Sequence, residues 1–447
     1  MNNALKTSLN KLREISSDIY FKYVPVIDDT TDISAFAQPI MDYPVVYNEF
    51  CNVLVNKLVF SQYLTKTFNN PLRVLEGDRI PLGYQGENVY TNPASARSFN
   101  VSDFAGLLQR YEADTKVEYW TVNTDIQYCV TVSRQQLKKA MTSWSNLEDY
   151  ITQLSNSLYN GAYIDFYRYA KNIISGAYKE NRGVIQTISA VSSADTAKAF
   201  VEKARELFLN FQLPSTQFNA WAKNGGAGKP VTTWCNPEDI VMVVRNDIRA
   251  KLDVEVLASS FNIDKTILLG NIITVDNFDS FDDEGNKVFD GSAIVGILAD
   301  KAWFKIKTQD FFMESFYNPN NRTMQYYLNV QRGYNFSLFA NGVIFATAQP
   351  EVAATKVEFV EDNQAIMKDE KVTLNVVTTP FTANPTLTYT SSNTSYATAT
   401  KVSGNEKQVV IEGKGAGTAT ITVTDGTHSD TLSVAVSTEA ETEAPTE

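Results

Sequence analysis

The feature that most limits the architecture is an unbroken alternation near the end of the first third of the chain. Trp120, Val122, Thr124, Ile126, Tyr128, Val130 and Val132 take every second position, with Thr121, Asn123, Asp125, Gln127, Cys129 and Thr131 between them. A period of two held over about a dozen residues is a β-strand with one covered and one wet face. At about 3.3 Å per residue it reaches roughly 40 Å, about twice the usual strand of a compact domain. Such a strand needs cover from a large sheet of its own chain or from a neighbouring subunit. It closes a region, 69–133, rich in turn residues: Asn69-Asn70-Pro71-Leu72, Gly77-Asp78-Arg79-Ile80-Pro81-Leu82-Gly83, and a Gly/Asn/Pro/Ser-rich stretch up to Arg97. An extended loop of this kind suits cover by a neighbour.

Around that strand the pattern is mixed. Residues 1–60 show no sustained periodicity beyond a short basic start, and Pro25, Pro39 and Pro44 interrupt them, so an irregular arm is expected. Ser145-Asn146-Leu147-Glu148 reads as a capping box. Behind it Leu147, Ile151, Leu154, Leu158, Ala162 and Phe166 form one apolar stripe of a helix running to about Ser175. Ala197, Phe200, Val201, Ala204, Leu207, Phe208 and Phe211 mark a second helix over 195–211. Asn236-Pro237-Glu238-Asp239 has the chemistry of a third helix start. The apolar runs Ile267–Val275, Ala293–Leu298, Trp303–Ile306 and Met324–Val330 read as strands, so this body is α+β.

Near Pro350 the composition shifts to Thr, Ser, Val and Ala. Residues 372–376, 387–389, 409–411, 419–423 and 432–436 alternate apolar and polar between turn residues, as in a small β-sandwich. Ser437–Glu447 is too acidic to pack and is expected to be disordered. The length, 447 residues, fits one sizeable core plus this appended module.

Charge and rare residues narrow the function. The net charge is −12, and the part beyond residue 350 carries 6 basic against 14 acidic groups. Such a field repels nucleic acid and anionic lipid. No run reaches the ~20 apolar residues of a membrane span, and no apolar signal segment opens the chain. Cys51, Cys129 and Cys235 match no metal or redox spacing and read as reduced, buried thiols. The single histidine, His428, sits in a Gly/Thr/Ser/Asp turn, which excludes histidine-based triads and multi-histidine metal sites.

The remaining motifs fail on context. Asn224-Gly225-Gly226-Ala227-Gly228-Lys229-Pro230 departs from the phosphate loop at Lys223 and Pro230, and Gly413-Lys414-Gly415-Ala416-Gly417 precedes a strand where a dinucleotide turn precedes a helix. The acids Asp276, Asp279, Asp282, Asp283, Glu284 and Asp290 do not follow the calcium-loop spacing and read as a solvated hairpin tip. The aromatic stretch Phe311–Tyr334 reads as strand and interface core before it reads as a stacking platform. We therefore expect no catalytic, cofactor-binding or metal residues, and no enzyme.

Several segments in matching order resemble the major capsid protein of short-tailed phages of the phi 29 type. They are Asn70-Pro71-Leu72, Gly77, Ile80-Pro81-Leu82-Gly83, Ser143-Trp144, and Leu252–Ala258 through Phe261-Asn262 to Leu269-Gly270-Asn271. The resemblance covers about residues 1–350 and implies the Hong Kong 97 capsid fold. On that reading 1–60 is an N-terminal arm, 69–133 an extended β-loop, 134–234 a peripheral domain with a spine helix, 235–300 an axial domain and 301–350 return strands. Residues 352–436 are similar to a bacterial immunoglobulin-like group 2 domain, through Ser391-Ser392-Asn393, Tyr396-Ala397-Thr398 and Gly415–Val423; Tyr389 and Ala399 depart from that family's usual residues. The acidic tail is 437–447.

The resemblance implies a shell of pentamers and hexamers of this chain around double-stranded DNA held without sequence-specific contact. It also implies a separate scaffolding protein and a portal during assembly in the host cytoplasm, an outward immunoglobulin-like domain, and no membrane partner. Heterologous contacts related by rotation close into such rings. We single out Arg73, Arg79 and Arg97 as partners for a neighbour's acids, and Trp120, Val122 and Ile126 as apolar intersubunit contacts. An exposed loop arginine is by itself worth little. Two rival readings are a surface adhesin or carbohydrate-binding protein working through the sandwich, which ordinarily carries an export signal, and a carboxylate-pair hydrolase, which needs paired acids in a cleft.

Overall fold

The computed structural model of the protein describes residues 3–58, 68–81, 86–96, 110–226, 228–255, 272–282 and 286–438. The chain divides into two compact units. The first is Met1–Asn88, Val117–Ile173 and Phe304–Phe336; the second is Val89–Lys116, Ile174–Trp303 and Ser337–Glu447.

The first unit corrects the expectation of an irregular arm. Its start forms four helices, α1 (Asn3–Ile15), α2 (Asp18–Tyr23), α3 (Ile33–Asp42) and α4 (Pro44–Leu58). The prolines punctuate these helices without forbidding them. Pro44 opens α4, where a missing N–H costs nothing, and Pro39 lies inside α3 beside the buried Phe36, Ala37 and Ile40. Leu9, Leu12, Tyr20, Phe36, Ile40, Val46 and Phe50 pack into one core with Leu147, Ile151, Leu158, Tyr326 and Leu328. At about 25 cal/mol per Å² of apolar area, that burial outweighs the weak helical pattern of the segment.

The long alternation is also broken. β1 (Gly86–Thr91) and β2 (Thr115–Trp120) form a two-stranded sheet, and a separate strand, β3 (Thr124–Ser133), begins after a three-residue link. That link is held by Asn123, whose side chain donates to the Tyr334 carbonyl at 2.9 Å and accepts from the Tyr334 N–H at 2.9 Å, while Asn335 donates to the Thr121 carbonyl at 2.9 Å. The Asn123 N–H also donates to the Arg332 carbonyl at 3.2 Å, so side-chain and main-chain bonds together tie the link to residues 332–335, and the strand changes sheets there. β3 pairs antiparallel with a hairpin of its own chain, β10 (Phe304–Asn318) and β11 (Thr323–Phe336), in the order β10-β11-β3. Of the two kinds of cover the alternation permits, β3 uses its own sheet.

α5 (Arg134–Ala140) starts from a capping box of Ser133 and Gln136. α6 (Trp144–Lys179) is longer than expected at both ends: the Asn146 N–H donates to Ser143 Oγ at 3.1 Å, so the cap is Ser143 and not the Ser145 box. Of its 36 residues, Leu147, Ile151, Leu154, Leu158 and Ala162 line the core of the first unit.

In the second unit, β4 (Val184–Thr187), β5 (Ile240–Arg245), β6 (Ile272–Val275), β9 (Ile294–Asp300) and β12 (Gly342–Ala346) form a mixed sheet ordered β4-β12-β9-β5-β6. α7 (Ala194–Asn210), capped by Ser193 and Thr196, and α8 (Asn246–Glu255) contribute Phe200, Leu207, Ile248 and Leu252 to its core. The helix expected from Asn236 is absent. Only a turn, Pro237–Asp239, forms before the run Ile240-Val241-Met242-Val243-Val244 enters the sheet as a central strand, where an all-apolar run belongs. β7 (Ser280–Phe281) and β8 (Lys287–Phe289) make the acidic hairpin, and Lys287 pairs with Asp279 and Asp290 at 3.1 Å each. Of the expected strand Ile267–Val275, residues 267–271 lie outside the described residues.

The C-terminal part folds as two four-stranded sheets. β13 (Lys356–Phe359), β15 (Lys371–Thr379), β18 (Asn405–Gly413) and β17 (Ala397–Val402) make one. β14 (Asn363–Met367), β20 (Ser429–Ser437), β19 (Gly417–Thr424) and β16 (Thr388–Ser391) make the other. Val357, Leu374, Val409, Ile411, Ile421, Val423 and Leu432 close a core between them. The acidic residues beyond 438 lie outside the described residues. Cys51 and Cys235 are buried as expected; Cys129 is exposed, because it falls on the wet face of β3.

Candidate subunit interface

Two of the three singled-out arginines come together. The turn Pro71–Leu75, whose Asn70 cap accepts from the Leu72 N–H at 2.9 Å, and the segment after it lie along the first half of β10. The Gly77 N–H donates to the Ile306 carbonyl at 2.9 Å and the Ile80 N–H to the Thr308 carbonyl at 3.0 Å. This backbone pairing brings Arg73 and Arg79 to the rim of a cleft of about 290 Å³, lined also by Asn70, Glu76, Tyr163, Phe166, Thr308, Phe311 and Arg332.

The floor of the cleft is Arg332, only 6 % exposed. Its Nε donates to Thr308 Oγ1 at 2.7 Å and lies 3.5 Å from Glu76 Oε1, while the Thr308 hydroxyl donates to the same carboxylate at 2.5 Å. The guanidinium faces the rings of Phe166 at 5.0 Å and Phe311 at 5.9 Å, a cation–π arrangement. Burial pushes the neighbouring Tyr334 phenol up to about 12 against the opposite pull of Arg332, so it stays neutral at ordinary pH. At the rim Arg79 pairs with Asp310 at 3.0 Å and donates to the Gln309 carbonyl at 3.2 Å. Arg73 is exposed, lies 5.7 Å from the Tyr163 ring, and forms no ion pair among the described residues.

The other candidates are not brought to this place. Arg97 lies outside the described residues. Trp120, expected on a neighbour, is 9 % exposed and its indole covers Gly86 of its own chain. Val122 is half-buried in the link to β3, and Ile126 is half-buried opposite Val330 of β11. In the second unit, the segment after β1 is tied down by Asn92, which accepts from the Thr232 N–H at 3.0 Å and donates to the Pro230 carbonyl at 3.0 Å and to Asp114 at 2.6 Å. Tyr90 donates to the Thr232 carbonyl. Residues 97–109 lie outside the described residues.

Comparisons with known proteins identify the chain as a whole. Residues 9–346 match the family described as phi29-like phage major capsid protein. The chain belongs to that family. Residues 353–436 match the bacterial Ig-like domain, group 2. The major capsid protein of Bacillus phage B103 is 28 % identical over 368 residues, covering 79 % of this chain and 78 % of that one. That of Bacillus phage PZA is 28 % identical over 383 residues, covering 82 % and 80 %. Among solved structures, the capsid of Staphylococcus phage Andhra superposes with a TM-score of 0.52 at 13 % identity, over 63 % of this chain and 85 % of the other. The body of this capsid protein therefore has the phage-capsid fold of the Hong Kong 97 type, with an immunoglobulin-like sandwich appended.

The floor of the cleft rests on a residue that the sequence reading does not single out, Arg332. Met324, Tyr326, Leu328, Val330 and Arg332 alternate inward along β11. A charged residue at an inward register position was the available signal, hidden because the apolar run was read only to Val330.

Proposed function

We propose that this capsid protein is the shell subunit of a tailed-phage virion, assembling in the host cytoplasm into rings of five and six around double-stranded DNA and carrying out no reaction of its own. The observation that carries this reading is the family match over residues 9–346, together with a fold shared with a solved phage capsid. On the same reading a separate scaffolding protein and a portal act during assembly, and the division into arm, extended loop, peripheral and axial parts applies to residues 1–350. The sandwich, whose core is complete within residues 352–436, faces outward as a decoration. The near-neutral charge of residues 1–350, against the acidic remainder, favours a lining that neither binds nor traps the genome.

Negative-stain microscopy of the full chain, expressed with and without a scaffolding partner, tests the proposal. Uniform hollow shells are expected in at least one condition. Monodisperse monomers in every condition would refute it.

A further inference from the structure

The cleft under Arg73 and Arg79 has the composition of a receptor. Three guanidiniums meet at it, and two carboxylates answer them: Glu76 beside Arg332, and Asp310 beside Arg79. One positive charge is left over, and it belongs to Arg73, whose guanidinium is exposed at the rim. The walls are aromatic, Tyr163, Phe166 and Phe311, and the volume of about 290 Å³ admits one medium-sized side chain with a few waters.

We propose that this cleft receives the carboxylate of an acidic side chain, by size and wall chemistry a glutamate, from a second copy of the capsid protein. The aliphatic stem of the incoming side chain lies against the rings, and its two oxygens accept paired hydrogen bonds from the Arg73 fork with Arg79 alongside. One incoming carboxylate brings the cleft to neutrality. The floor needs no rearrangement, since Glu76, Thr308 and Arg332 already satisfy one another. A nucleic-acid phosphate is a poorer occupant: the leftover charge is a single one and the floor is recessed behind aromatic walls. The inference rests on the shell reading above and names the partner chemistry of one of its contacts.

The test compares the full-length wild type with Arg73→Glu, Arg73→Lys and a remote reversal, Lys198→Glu on α7. Light scattering reads the concentration of half-assembly at low and high salt. A photo-crosslinking p-benzoylphenylalanine at position 163 reports which peptide enters the cleft. Circular dichroism checks that each variant is folded; Arg73 is exposed, so its replacement leaves the core intact. We expect Arg73→Glu to raise the half-assembly concentration by about tenfold or more at low salt, with the gap narrowing at high salt. Lys198→Glu is expected to change it by less than about threefold, and Arg73→Lys, which keeps the charge but loses the paired fork, to fall between that control and Arg73→Glu. Crosslinks should join two chains through a peptide bearing Glu or Asp. Unchanged assembly of Arg73→Glu, or crosslinks only within one chain, overturns the cleft inference while leaving the shell reading in place. Loss of DNA retention without loss of assembly overturns it in favour of a phosphate. Failure of the wild type to assemble under any condition overturns both.

Discussion

The Arg332–Glu76 pair gives the sharpest test of how the first unit is held together. Arg332→Met removes a guanidinium whose side chain is 7 % exposed, leaving Glu76, 22 % exposed, without its counter-charge. Breaking a fully buried pair by deleting one partner costs about 3–5 kcal/mol. Partial access of Glu76 to water and the surviving Thr308 hydrogen bond reduce that to about 2–4 kcal/mol, part of it from the lost contacts with Phe166 and Phe311. Since the chain has two units and an appended sandwich, a single two-state melt is the wrong assay. Hydrogen exchange of β11 and β3 amides reads the local opening energy directly, and the estimate corresponds to about 30-fold to 700-fold faster exchange there. Adding Glu76→Gln removes the stranded charge, so the double variant should recover about 1 kcal/mol or more relative to the sum of the two single changes. Exchange in β11 within about twofold of wild type, or strict additivity in the cycle, would refute the assignment of Arg332 as the charged keystone of this sheet.

Three other outcomes follow from local geometry. Lys223, half-buried with its ammonium donating to the Gly183 carbonyl at 2.8 Å, is pushed down to about 8 by burial. Its proton is kept to the ordinary value of 10.5 in the unfolded chain, so below pH 8 the cost of burying the charge is fully present, and between 8 and 10.5 folding gains stability as pH rises. The local opening free energy read by hydrogen exchange of amides around Gly183, wild type minus Lys223→Met and corrected for the intrinsic pH dependence of exchange, should therefore climb across that window, and a flat difference contradicts the assignment. Gly86→Val places a branched side chain where the Trp120 indole lies, so emission of that tryptophan should shift red, as read in a variant retaining Trp120 alone; unchanged emission rejects the packing. Residues 351–438 expressed alone should melt cooperatively, and Ile421→Ala, at a fully buried position, should lower their stability by about 2–5 kcal/mol in urea titration; an unfolded fragment contradicts a self-contained sandwich core.

What the amino-acid order discloses depends on whether the decisive interaction is periodic. The stripe Leu147 to Phe166 and the stripe Ala197 to Phe211 repeat every three or four residues, and both became helices. The sandwich strands alternate cleanly because each has one wet face. The N-terminal helices were illegible because their prolines look like breakers until Pro44 is seen at a first helical position and the buried face of α3 is seen against Trp144, 5.3 Å from Phe36. The break at 121–123 was equally hidden, since alternation continues through it and only the side chains of Asn123 and Asn335, reaching residues some two hundred positions away, end one sheet and begin the next. For the cleft, Arg73 and Arg79 were visible as loop cations, but their common site depends on β10 bringing Thr308 and Phe311, and on Arg332, which no short-range pattern connects to them.

The central claim, that copies of this capsid protein supply one another's remaining contacts in a closed shell, is tested most directly by electron cryomicroscopy of particles assembled from the full chain. The account predicts subunits ringed in fives and sixes, with Arg73 of one copy facing an acidic side chain of the adjacent copy and the sandwich on the outside. Particles in which each subunit touches its neighbours only through the sandwich, or no particles at all, would contradict it.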